Sequence, residues 1–352
     1  MNQTKKLEQI KKPLLSWYSG HKRALPWRDD PSPYHVWISE IMLQQTRIEA
    51  VIPYYKRFLA ELPDVAALAC ADDDKLMKLW EGLGYYSRAR NLKKAALEIM
   101  ERHGGKLPES ATELKKLSGI GDYTAGAIAS ISFGKPEPAV DGNVLRVIMR
   151  YLGRTDDISL QTTKKQTAEA LRAIYPEGED AKNLTQAIME LGEAVCIPNG
   201  EPKCASCPLA DLCKAKNEDL TGAIPVKSPK KPRKQEKKTV FLLSCRGKYA
   251  VCKRPAAGLL AKLWEFPNTE TQLTEEEALT HLQALGLSPL GITPCGDAVH
   301  IFTHIEWHMK GYAAECAVPS PQFVWQSAED ILEHYAIPSA FRVYTEYIKR
   351  KE

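Results

Sequence analysis

SGIGDYTAGA, residues 118–127, sets two glycines in a tight turn just ahead of a small-residue run suited to a helix. Gly119 and Gly121 permit dihedrals and close backbone approach that other residues do not. The helix start behind them presents free N–H groups that favour an anion. The lysine of a phosphate-binding P-loop is absent, and Tyr123 stands two residues past the second glycine. An isolated Gly-x-Gly is most often a plain turn between helices, so its weight depends on the rest of the chain.

Around this turn the pattern is helical from Tyr34 to about residue 220. YHVWISEIMLQQTRIEAVIPYYKRFL (34–59) and DDDKLMKLWEGLGYYSRARNLKKAALEIMERHGG (72–105) space their apolar residues at three and four. SLQTTKKQTAEALRAIYP (159–176) and EDAKNLTQAIMELGEAVC (179–196) predict further helices. The segment 221–238 then turns rich in proline and lysine and predicts a solvated linker. Its part KSPKKPRKQEKK (227–238) carries seven basic residues against one acidic, which accounts for the net charge of +4 and leaves the remainder close to neutral. Beyond it, TVFLLSCRGKYAVCKRP (239–255) predicts two strands about an Arg-Gly turn, TEEEALTHLQALGL (274–287) a helix, and AVHIFTHIEWHMKGYAAECAV (298–318) a second strand pair. The expected fold class is multidomain: an all-α domain over 1–220, the linker, and an α+β domain over 239–352. At 352 residues the chain is long enough for both. It lacks a membrane-spanning apolar run and a secretory N-terminus, so no membrane partner and a cytoplasmic (in a bacterium, nucleoid-associated) monomer are expected.

Nine cysteines without a secretory signal argue against a disulfide framework. Cys70, Cys245, Cys252, Cys295 and Cys316 are scattered and read as small buried hydrophobes. CIPNGEPKCASCPLADLC instead crowds Cys196, Cys204, Cys207 and Cys213, separated by seven, two and five residues. Four thiolates in a proline-bent loop can close on one metal centre. Zinc modules usually offer two Cys-x-x-Cys knuckles; one knuckle flanked by lone cysteines suits a cubane cluster better, with zinc the competing occupant.

Two carboxylates stand out. Glu40 has Val36, Trp37, Leu43 and Gln44 as its helical neighbours, a largely apolar face. Desolvation there would raise its pKa towards the range of a general acid, and a buried salt bridge is the competing account. Asp141 precedes Gly-Asn and reads first as a helix N-cap.

Taken with LPWR (25–28), SEIMLQQTR (39–47), GLGYYSRARNL (82–92), LSGIGDYTAGAI (117–128) and VDGNVLRV (140–147), the chain resembles the helix-hairpin-helix DNA glycosylases of the endonuclease III superfamily. Within that superfamily it is similar to the adenine glycosylase branch, with a MutT-like (Nudix-like) C-terminal domain. The resemblance runs over nearly the whole chain. It implies removal of adenine mispaired with 8-oxoguanine or guanine in double-stranded DNA, a [4Fe-4S] cluster on the four cysteines and no nucleotide cofactor. It also implies a phosphate held by the hairpin amides at Gly119 and Gly121, with an alkali-metal or calcium ion able to bind there. By the same matching, Glu40 would protonate the adenine ring, Asp141 would face the sugar's developing cation, and Asn143 would orient these groups. Trp27, Arg28, Leu43 and Gln186 would line the adenine pocket, while Gln45 and Tyr85 would press into the duplex. Relatives that cut the strand carry a lysine where Tyr123 stands, and its amine forms a Schiff base. Tyr123 cannot, and its hydroxyl is expected to bond the Asp141 region, so the enzyme should be monofunctional.

The C-terminal domain departs from a Nudix hydrolase, which needs an Arg-Glu pair ahead of a Glu-Glu pair to hold magnesium. The corresponding region, 258–287, keeps LWEFP and Gly286 without that box. A reader of the damaged base is expected instead, with Thr303 in HIFTH (300–304) replacing a family serine and keeping the hydroxyl that can accept from the N7–H of 8-oxoguanine. The competing functions are a lyase-type glycosylase for oxidised pyrimidines, a non-enzymatic iron–sulfur damage sensor and a Nudix-type hydrolase.

Overall fold

The computed structural model describes residues 3–229 and 232–351, and its contacts divide the chain into two compact units. The first comprises Met1–Cys70 and Arg90–Pro229 and is helical throughout its described residues. Its core forms where three helices meet, Lys11–His21, Gly142–Leu152 and Glu179–Ala194. Val144, Val147, Ile148 and Tyr151 follow the 3–4 spacing of one helix face and pack with Leu14, Tyr18, Leu184, Ile188 and Leu191. Asp141 caps the Gly142–Leu152 helix, which ends at Gly153 in the left-handed region at φ 66°.

Two stretches with unbroken helical spacing are interrupted. The first forms helices Pro33–Leu43 and Ile48–Glu61, parted where Gln45 takes φ 60°. The second forms Asp73–Leu79 and Ser87–His103, parted by a loop in which Gly82, Gly84 and Tyr85 all have positive φ. Apolar spacing continues through the second break because its loop side chains still point inwards; Leu83 and Tyr86 are buried.

The second unit comprises Ala71–Ala89 and Lys230–Glu352. Its strands are β1 (Lys234–Cys245), β2 (Lys248–Lys253), β3 (Trp264–Glu265), β4 (Asn268–Thr269), β5 (Pro289–Ile301), β6 (Ile305–Cys316) and β7 (Val324–Gln326). They form one mixed sheet in the order β3-β2-β1-β6-β5, with β4 paired to β1 and β7 to β2. β1 and β6 run parallel and the other pairs antiparallel. Arg246 and Gly247 make the expected turn between β1 and β2, both at positive φ. The helix Glu275–Ala284 starts with a capping box between Thr274 and Glu277.

Three expectations are corrected. Residues 71–89 group with the sheet, not the helical unit: the Asp74 carboxylate accepts from Lys253 Nζ at 2.7 Å and Trp264 Nε1 at 3.3 Å, and Glu81 Oε1 accepts from the Ile337 amide at 2.8 Å. The segment expected as linker to residue 238 is β1 from Lys234 onwards, with Lys238 only 2 % exposed and its ammonium 4.6 Å from the Trp307 ring centre. At its other end the Ile224 and Val226 carbonyls accept from Arg150 Nε (2.7 Å) and the Ile158 amide (3.1 Å); Lys230 and Lys231 lie outside the described residues. Among the scattered cysteines, Cys245 and Cys316 are buried as expected, Cys252 and Cys295 are half-buried, and Cys70 is exposed.

Candidate active site

Glu40 lies on the buried face of Pro33–Leu43 and is 6 % exposed. Among the described residues no ion pair forms at it; the Tyr123 hydroxyl donates to its Oε2 instead. Burial pushes the Glu40 carboxyl up to about 7, with the Tyr123 bond opposing, the Asp141 charge adding and the Arg28 charge opposing. Burial first, then the Glu40 and Asp141 charges, hold the Tyr123 phenol well above its ordinary value, so the shared proton stays on tyrosine. Tyr123 belongs to the helix Asp122–Ala127 that leaves the glycine turn, and Gln44 Nε2 reaches Thr124 Oγ1 at 3.4 Å beside it. The expected bond from Tyr123 to the Asp141 region is therefore corrected: its partner is Glu40.

Asp141 is the N-cap its sequence suggests, with Oδ1 accepting from the Val144 amide at 2.7 Å. Burial raises its pKa, while the Val144 and Asn143 amides and the Arg146 charge hold it down. Asn143 contributes that backbone amide, but its side chain accepts from Arg146 Nη2 at 2.8 Å. Gly192 leaves room for it, since a Cβ there would stand 2.7 Å from Asn143 Cβ. Arg146 also donates to the carbonyls of Cys196 (2.7 Å) and Gly192 (2.8 Å).

Of the residues matched to the adenine pocket, Trp27 is buried with its ring edge-on to Tyr55, centres 5.4 Å apart. Leu43 is the half-buried last residue of its helix. Gln186 Nε2 donates at 3.3 Å to Lys182 O within its own helix. Arg28 donates to Glu190 Oε2 at 2.6 Å and to the Arg23 carbonyl at 2.9 Å, and its guanidinium lies 5.6 Å from the Tyr18 ring centre. Arg23 binds the other oxygen of Glu190, which is 1 % exposed. Sequence reading missed Glu190, whose helical neighbours at three and four residues are Gln186, Ala187, Glu193 and Ala194, a face too mixed to mark a buried acid.

In the hairpin, Gly119 takes φ 78° and a Cβ there would stand 2.6 Å from Asn91 Cβ. Gly121 is extended, and a Cβ on it would meet nothing within 4 Å, so its backbone faces open space. Gln45 is exposed, as is Tyr85 at 45 %, whereas the adjacent Tyr86 is buried. Thr303 sits in the turn between β5 and β6, not in a strand as expected, and its Oγ1 is 2.9 Å from the Tyr85 hydroxyl within the second unit.

The four clustered cysteines line one largely apolar cavity together with Val147, Tyr151 and Leu191. Burial pushes the Cys207 thiol up to about 11, with Cys196, Cys213 and Cys204 adding, and raises Cys213, with Cys196 and Cys204 adding. Arg150 Nη1 donates to Cys196 Sγ at 3.4 Å. Among the described residues no three His, Cys, Asp or Glu side chains form a ready ligand set. Gly200, in the seven-residue interval between Cys196 and Cys204, is exposed at φ 78° with open space beside it.

Residues 38–177 match the HhH-GPD superfamily of base excision DNA repair proteins, and residues 239–347 match the NUDIX domain. The structure is similar to a thermostable thymine-DNA glycosylase, with 28 % identity and a TM-score of 0.55 over 61 % of this chain and 98 % of that one. It is also similar to endonuclease III in a non-covalent DNA complex, with 25 % identity and a TM-score of 0.51 over the same shares. The human adenine DNA glycosylase is 34 % identical, covering 94 % of this chain and 73 % of its own length. That of Buchnera aphidicola subsp. Acyrthosiphon pisum is 31 % identical, covering 96 % and 97 %. With both domains matched and such relatives aligned over most of their length, the chain belongs to the adenine DNA glycosylase family.

Proposed function

We propose that this protein removes adenine from duplex DNA where it is mispaired with 8-oxoguanine or guanine, and leaves the strand uncut. The observation that carries the reading is Glu40: buried, hydrogen-bonded by Tyr123 and still about half protonated near neutral pH. A base removed at its glycosidic bond has to leave the stack, at a cost of a few kcal/mol. The open hairpin backbone at Gly121 suits a phosphate beside the extruded nucleotide, with Gln45 and Tyr85 pressed into the gap. Glu40 then protonates the adenine ring and so turns it into a good leaving group. Asp141, held in place by the amides of the helix it caps, stabilises the positive charge that develops on the sugar as the N-glycosidic bond breaks, and water then adds to that sugar carbon and loses a proton, completing the hydrolysis. Trp27, Arg28, Leu43 and Gln186 form the base pocket, and Thr303 reads the opposite base. Tyr123 has no amine, so no Schiff base forms and strand cleavage does not follow.

The four cysteines fit a [4Fe-4S] cluster, because all of their side chains line one apolar cavity of suitable chemistry. When bound, such a cluster supplies a structural crosslink for the loop. Arg150 and Arg146 attach that loop to the helix capped by Asp141. Iron and sulfide analysis with the visible absorbance separates a cluster from zinc.

The test is base release from duplexes carrying A opposite 8-oxoguanine, G, C or T. Release is expected with 8-oxoguanine and G, and Glu40→Gln should abolish it with duplex binding retained. Release unaffected by Glu40→Gln, or strong borohydride trapping of the protein on DNA, would overturn the reading.

A further inference from the structure

Glu98 has no place in the chemistry above, yet it holds the hairpin from behind. The helix Ser87–His103 carries Asn91 and Glu98 about two turns apart on one face. Glu98 Oε2 accepts from the Ser118 amide and Oε1 from the Ser118 hydroxyl, both at 2.8 Å. The next residue, Gly119, lies so close to Asn91 that no side chain fits between them. Two consecutive residues of the turn are thereby fastened to one long helix, while Gly121 on the far side faces open space. Burial raises the Glu98 pKa, but the two Ser118 bonds and the charges of Lys94 and Arg102 outweigh it and hold the carboxyl ionised.

We propose that Glu98 is a positioning residue for DNA binding, whose two-oxygen hold on Ser118 sets the hairpin turn so that its amides face a backbone phosphate. The inference rests on the reading that the hairpin contacts duplex DNA. It makes a prediction opposite in sign to simple electrostatics. A carboxylate near a phosphate repels it, so by charge alone Glu98→Ala should tighten binding. A clamp that sets the amides makes the same substitution weaken it.

The experiment measures binding of the full-length protein to a duplex with a non-hydrolysable adenine analogue opposite 8-oxoguanine, across a range of salt, alongside thermal unfolding. Glu98→Ala should weaken binding about tenfold, the loss expected for one contact to a charged group. Its slope of log K against log salt should stay as in the wild type, because backbone amides are neutral and displace no counterion, and Glu98→Gln, which keeps an oxygen to accept from Ser118, should recover part of the loss. Ser118→Ala keeps the carboxylate and its charge but removes one arm, and should weaken binding in the same direction; it carries the test if Glu98→Ala does not fold. Unchanged or tighter binding in the folded variants would overturn the proposal, as would a loss that appears only at temperatures where the variant has begun to unfold, which marks general destabilisation. If the wild-type protein itself does not bind the duplex, the reading of the hairpin as a DNA contact fails too; wild-type binding with indifferent variants sinks the clamp alone.

Discussion

Replacing Glu40 by Gln should make the folded protein more stable at neutral pH and have little such effect in acid. Burial moves the folded carboxyl from 4.5 to about 7. Between those values the unfolded chain gives up this proton while the folded protein keeps it, so rising pH favours the unfolded state. Each pH unit in that window costs about 1.36 kcal/mol, which accumulates to about 3 kcal/mol by pH 7 to 8 and is constant above. Below 4.5 both states are protonated and the cost vanishes. Gln is neutral at every pH, and its oxygen still accepts from Tyr123. Its extra amide donors carry a desolvation cost, but that cost does not vary with pH. The measurement is therefore the variant-minus-wild-type difference in urea unfolding free energy at pH 5 and at pH 8. It should grow by about 2 to 3 kcal/mol between the two. A difference that is the same at both values would refute the argument, because it would mean that the folded carboxyl titrates where the unfolded one does. In the proposed reaction the same desolvation makes Glu40 useful: the environment that weakens the fold at neutral pH keeps a proton available for the base.

Tyr123→Phe removes a bond that favours the ionised Glu40, so the alkaline limb of single-turnover base release should move up by about one pH unit, the equivalent of one hydrogen bond to a charged group. A limb that stays in place would separate Tyr123 from the acid. Glu190→Gln leaves two guanidiniums without their shared carboxylate. Because Arg23 and Arg28 keep some exposure, the loss should be about 1–3 kcal/mol, below that for a fully buried pair, and is read from thermal unfolding; an unchanged Tm would show that the pair contributes nothing. Thr303→Ala should lower the preference for 8-oxoguanine:A over G:A while leaving basal release, and an unchanged ratio of the two rates would count against Thr303 as the reader.

Glu40 and Asp141 were legible in the sequence because each is defined by near neighbours: helical spacing puts Glu40 on an apolar face, and Asp-Gly-Asn announces a cap. What escaped depends on residues far along the chain. A run such as KQEKK reads as solvated until something covers it. For Lys238 the cover is the Trp307 ring on β6, which takes the aliphatic stem and the charge together. Helix Asp73–Leu79 looks like any other helix of the first domain, and Asp74, Lys78 and, just past its end, Glu81 tie it to the sheet unit through bonds that include those to Lys253, Leu332 and Ile337. The breaks at Gln45 and Tyr85 were hidden for another reason: both place a residue with a side chain at positive φ, where glycine is the usual marker.

The partner of Tyr123 belongs to the same long-range class, and it alters the meaning of that residue. Paired with Asp141, Tyr123 would have acted on the sugar, filling the place of a lysine with a less reactive group. Paired with Glu40, it acts on the acid. Its hydroxyl favours the carboxylate and so opposes the burial that pushes Glu40 up. Without that bond Glu40 would hold its proton more tightly and give it up to the adenine less readily; with a stronger donor it would be ionised and have no proton to give. In the proposed reaction, the residue that rules out a Schiff base is therefore also the one that keeps the acid near the pH at which it works, and one substitution, Tyr123→Phe, should separate the two roles. It restores no amine and so leaves strand cleavage absent, while it moves the pH profile of base release.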